Sequence, residues 1–205
     1  MGNPLPLAFL ALGVGTLTLS AIQLGWVPAG EGRDVAIVLI GFVFPLQLVA
    51  MIFAFLARDG AAAGGIGMIA GHWLVIGLVM ISSPPGSTSD ALGVFLLGAS
   101  WLLLVPASAS LPAKSLAAAV IAGAALRFAA TGIYQLTGSG GWEDVAGIVG
   151  LALFVLAFGA GLAMTLTDAR GGEAPLPVGR AEGGKPVDAD PRQGLDREAG
   201  VRPKL

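Results

Sequence analysis

The sequence predicts an all-α integral membrane protein, with six transmembrane helices followed by a disordered C-terminal tail. Three observations support this. Of the 205 residues, 55% are hydrophobic and only 12% are charged, against about a quarter charged in an ordinary soluble domain. Ten of the charged side chains lie in residues 1–167 and fourteen in the last 38. The charges also cut the first segment into apolar stretches: 1–30, 35–57, 60–89, 91–113, 115–142 (interrupted by Arg127) and 145–167. Each stretch holds one helix of the about 20 residues that a bilayer requires. Barrel strands would alternate polar and apolar side chains over about ten residues, whereas these runs are apolar on all sides.

The first helix is expected over 4–27, with Asn3 as a cap and Pro4 in the first turn, where an amide would lack a helical partner anyway. Gly30-Glu31-Gly32-Arg33 separates it from a second helix at 34–57, in which the ring of Pro45 should kink the backbone and free a carbonyl. Arg58-Asp59-Gly60 precedes a third helix at 63–82. Ser82-Ser83-Pro84-Pro85-Gly86-Ser87 cannot continue it, because consecutive prolines lack amide donors. A fourth helix at 90–111 ends at Leu111-Pro112-Ala113-Lys114, a fifth covers 115–137, and Gly138-Ser139-Gly140-Gly141 leads to a sixth at 144–167. From Arg170 onward, Gly, Pro and mixed charge leave too little apolar surface to offset the entropy of ordering. The chain thus divides into a six-helix membrane domain, 1–168, and a disordered cytoplasmic tail, 169–205.

Lys and Arg near the helix ends set orientation. Arg58, Lys114 and Arg170 fall on one side and Arg33 alone on the other, so both termini are expected to be cytoplasmic in a multi-pass plasma-membrane protein. The first span has no basic residue ahead of it and is too long for a secretory signal. Glycines at 13, 15, 64, 65, 147, 150, 159 and 161 let helices approach closely.

The composition excludes several functions. There is no cysteine, hence no disulfide framework, thiolate metal site or cysteine nucleophile. A net charge of −2 offers no field for nucleic acid. His72, the single histidine, has no metal partners at ligand spacing, and neither a carboxylate pair at membrane depth nor a phosphate loop is present. No enzyme and no cofactor are expected.

The unusual residue is Arg127, midway through the fifth span, where an arginine costs about 2.5–3.5 kcal/mol on insertion scales. All six acids of the membrane segment fall in loops or at helix ends, so no fixed counter-ion shares its depth. Two readings stand. Its guanidinium attracts a carboxylate supplied from outside, in two-pronged geometry, or it bonds helix-end carbonyls and snorkels. Arg127, Thr131, Tyr134 and Gln135 form one helical stripe, as do Leu12, Thr16, Ser20 and Gln23. Gln47 and His72 add polar groups near mid-membrane. Together these suit a solute path, or else interhelical hydrogen bonding.

Asn3-Pro4-Leu5-Pro6-Leu7, followed by a glycine- and threonine-bearing helix, resembles the signature of the acetate uptake transporter family, the succinate–acetate permeases of bacteria and fungi. Ala50-Met51-Ile52-Phe53-Ala54 is similar to the family's second-helix end, and Phe128-Ala129-Ala130 with Gly138 to its fifth helix. The resemblance implies a six-helix protomer, usually in a homo-hexamer with one pore per protomer, passing a small monocarboxylate, or succinate in some members. It implies an anion site shaped by Asn3, Pro4 and Pro6 at the cytoplasmic side. It also implies a constriction at the positions of Leu12, Ile69 and Ala124, where the family uses an aromatic, a tyrosine and a leucine. The glycine that usually follows the motif is Ala8 here. Arg127 and His72 lie outside the family's motif, which marks a divergent member whose anion attraction rests more on the arginine.

The sequence therefore points to a channel or transporter for acetate or similar monocarboxylates, passive or proton-coupled. Its polar wall would be Arg127, Tyr134, Gln135, Gln47 and His72, and its partners membrane lipid and further copies of itself. The rivals are a six-span urea or short-amide channel and a non-transporting sensor or assembly protein.

Overall fold

In a computed structural model, residues 3–170 are described. Among them, six helices are long and apolar enough to cross a membrane: α1 (Leu5–Gln23), α2 (Ala29–Leu56), α3 (Gly60–Ser82), α4 (Asp90–Ser110), α5 (Ser115–Thr137) and α6 (Gly140–Ala169). No strand occurs among the described residues. The predicted tail, 169–205, lies outside them except for Ala169, which closes α6, and Arg170, which follows it.

The helices form a closed ring. Each packs on its sequence neighbours, and α6 returns to α1, while α3 touches α1 and α5 across the middle. Close approach depends on missing side chains. A Cβ on Gly93 would meet the Gly132 carbonyl at 3.0 Å, and one on Gly132 the Gly93 carbonyl at 3.1 Å, which joins α4 to α5. Along the α1–α6 seam, Gly161 lies against Leu10 and Gly147 against Leu24. These two contacts make the helices antiparallel and put Asn3 and Arg170 at one end of the bundle. At that end Lys114 pairs with Asp59, which also caps α3 by accepting from the Ala62 amide at 3.1 Å. Outward faces carry Trp101, Val94, Val105, Ile148 and Val155, an apolar coat suited to lipid.

Several boundaries differ from the sequence reading. The first helix ends at Gln23 rather than 27, because Gly25 turns the chain at φ +70° and Pro28 cannot donate an amide. The second begins at Ala29 with a 3₁₀ turn that includes Glu31, an acid that suits a helix start. The sixth begins at Gly140, so the expected four-residue loop shrinks to Gly138 and Ser139. Gly138 reverses the chain at φ +63°, and the Ser139 carbonyl accepts from the Trp142 and Glu143 amides at 3.0 and 3.1 Å. The kink expected at Pro45 takes the form of a π-helical turn at Leu39–Val43 immediately before it, a common way to absorb a missing i→i−4 bond.

Candidate functional site

Leu12 on α1, Ile69 on α3 and Ala124 on α5 are all buried and belong to the apolar core of the bundle. Each of the three positions expected to form a constriction is thus buried in the bundle interior and closed to solvent. Beside them, His72 stacks on Phe128 (ring centroids 4.1 Å apart, 17° between planes) and tilts against Phe95 at 5.3 Å. Its Nδ1 lies 2.6 Å from the Met68 carbonyl, and its Nε2 has no hydrogen-bond partner among the described residues. Trp73 meets the edge of Phe128 and packs on Gly15, where a Cβ would stand 3.1 Å from the indole.

Toward the loop end formed by residues 24–28, 83–89 and 138–139 the interior opens into a cavity of about 90 Å³. Its walls include Leu19, Ile22, Ile76 and Leu92, with Tyr134, Gln135 and Glu143, and the Ser83–Ser87 loop forms its outer edge. That loop is pinned across the bundle: the Ser89 amide donates to Gln135 Oε1 at 2.8 Å. Gln135 is thus both wall and anchor. Glu143 stands beside the Tyr134 hydroxyl.

Gln23 and Thr131 also line the cavity, and behind them lies Arg127, fully buried. Its Nη1 donates to Thr131 Oγ1 at 2.6 Å and its Nη2 to Gln23 Oε1 at 2.8 Å. Among the described residues its Nε has no hydrogen-bond partner, nor does the nearby Ser20 hydroxyl. Both fill a notch on α6, where a Cβ on Gly150 would stand 2.1 Å from Ser20 Oγ and 2.9 Å from Arg127 Nε. Among the described residues no carboxylate pairs with this arginine. No helix-end carbonyl among the described residues accepts from this guanidinium. The guanidinium turns inward, along the Arg127–Thr131–Tyr134 stripe, and is held by neutral oxygens. A cation taken out of water without an opposite charge is expensive, and its fork fits a planar oxyanion.

The remaining candidates lie elsewhere. Gln47 is buried and its Nε2 donates to the Ala8 carbonyl at 3.1 Å, tying α2 to α1; its Oε1 has no partner among the described residues. Asn3 Oδ1 accepts from the Leu5 amide at 3.2 Å, a local turn one residue ahead of the helix cap, which is Pro4 rather than the expected Asn3; Pro4 and Pro6 are half-buried beside it. None of these three motif residues lines the cavity, which lies at the other end of the bundle. Sequence reasoning placed Ser20, Gln23 and Thr131 on polar stripes without assigning them to the arginine, and counted Gly150 only as a packing residue. The i, i+4 spacing of Arg127 and Thr131 was a usable signal; the pairing with Gln23, 104 positions away, had none.

A scan against protein-family models finds no match, and a search of curated proteins finds none either. Among solved structures, that of the bacterial acetate channel SatP superposes with a TM-score of 0.77 at 20% sequence identity, covering 87% of this chain and 99% of that chain. At this identity the likeness is one of fold, and it agrees with the architecture that the Asn3–Leu7 resemblance implied.

Proposed function

We propose that this protein is a membrane channel or transporter passing acetate or a similar small monocarboxylate. The observation that supports this best is Arg127: a fully buried cation with no acidic partner among the described residues. On this reading it stands between the cavity, as the entry for solutes, and an apolar narrowing at Leu12, Ile69 and Ala124. The fold shared with an acetate channel supports the same reading. A carboxylate reaching the cavity floor meets the one positive charge at that depth, and it sheds its counter-ion cost there before crossing the narrowing. One guanidinium offsets one negative charge, so a monoanion is favoured over a dianion.

On this reading Asn3, Pro4 and Pro6 shape a second anion site at the cytoplasmic mouth. Tyr134, Gln135, Gln47 and His72 supply polar wall, and protomers assemble as hexamers in the plasma membrane with both termini cytoplasmic. No cofactor enters the scheme. The test is labelled-acetate uptake into proteoliposomes containing the purified protein, with urea and succinate as competitors and Arg127→Ala alongside. Saturable uptake that falls at least about tenfold in the variant, the scale of losing one charge-assisted bidentate contact, is the expected result. Free urea passage without acetate flux would replace the carboxylate reading with an amide channel.

A further inference from the structure

We infer that Gln23 is a displaceable stand-in for the substrate's carboxylate, and so acts as the exchange gate of the arginine site. This rests on the carboxylate reading above and concerns how that site opens. Two oxygens on separate helices, Gln23 Oε1 and Thr131 Oγ1, occupy the two terminal nitrogens of Arg127 at 2.8 and 2.6 Å. A bidentate carboxylate would place its two oxygens at those same nitrogens. The two holders are not equivalent. Thr131 sits one turn along the arginine's own helix, and its hydroxyl also donates to the Arg127 carbonyl at 3.0 Å.

Gln23 is the last residue of α1, two positions before the turn at Gly25. It faces the cavity, and its side chain makes no other hydrogen bond among the described residues. It is therefore the holder that an arriving anion reaches and replaces. Its neutrality is what permits this: an amide leaves the guanidinium without separating charges, whereas a carboxylate at position 23 would form a fixed ion pair in a low-dielectric interior and stay. The Arg127 Nε and Ser20 hydroxyl at the Gly150 notch, without partners among the described residues, supply further donors once the arginine shifts toward its ligand.

The test separates binding from flux. Carbon-13-labelled acetate binding to the full-length protein in detergent is followed by NMR line broadening for wild type, Gln23→Glu, Gln23→Ala and Arg127→Ala. Uptake into proteoliposomes is measured in parallel. Gln23→Glu is expected to bind acetate at least about tenfold more weakly while melting no lower than wild type, because its ion pair occupies the site. Gln23→Ala is expected to bind several-fold more tightly, because the internal competitor is gone. Acetate binding by Gln23→Glu equal to wild type would overturn the inference. So would a loss of binding in Gln23→Ala as deep as in Arg127→Ala, or no acetate binding by wild type. Wild-type binding with the expected variant pattern but no flux would keep the gate and overturn the transport reading instead.

Discussion

The two halves of the bundle interior treat their polar groups differently. In the closed half, around Leu12, Ile69 and Ala124, buried polar side chains are bonded to backbone carbonyls: Thr16 to Leu12 and Gly13, His72 to Met68, Gln47 to Ala8. Space there is filled by large side chains, Trp73 and Phe128 above all. In the half that opens to the cavity, backbone bonds of this kind are joined by bonds from side chain to side chain: Arg127 to Thr131 and, across to another helix, to Gln23. A bond from a side chain to helix backbone is part of the scaffold and has no ligand equivalent. A bond between a cation and a neutral side-chain oxygen has one, because any better oxyanion can take the oxygen's place. On the proposed function, the closed half would set size and the open half would select charge.

Mutations can push the halves apart or together. The largest stability effect should come from Phe128→Ala, which removes the ring under both His72 and Trp73. A loss of about 3 kcal/mol is expected, the low end for a phenylalanine truncation, since lipid removes the solvent-transfer part of the cost. Thermal unfolding in detergent measures it. Acetate binding at Arg127 should persist, and its loss would show that the halves are one unit.

Gly150→Ala comes next. Its Cβ would stand 2.1 Å from Ser20 Oγ, so overpacking costs about 1–3 kcal/mol and displaces the arginine, lowering acetate affinity too. Adding Ser20→Ala should restore part of the stability, a coupling that a double-mutant cycle reads directly. The smallest effect belongs to Lys114→Gln at the bundle end. Its pair with Asp59 is partly exposed, at 37% and 24%, so less than about 1 kcal/mol is expected, with flux unchanged.

Much of this was legible in the chain. Uninterrupted apolar runs between charges placed the spans, because a bilayer accepts little else, and α5 falls at 115–137 as the runs imply. The boundaries at Gly25 and Gly140 were harder. Glycine is compatible with a loop or a helix, so residue type alone does not distinguish φ +70° at the one from a regular helix start at the other. The polar stripes on the first and fifth spans marked inward faces, but they did not say which face met which.

Sequence alone determined that a membrane-depth arginine exists without an acid at its level, since charge and hydropathy are additive properties of a chain. Only the tertiary structure decided what holds it. The ring closure of α6 onto α1 brings Gln23 and the Gly150 notch to Arg127. A contact between residues 104 positions apart depends on helix rotation and spacing, which are set by the packing of every other pair and are written in no local pattern.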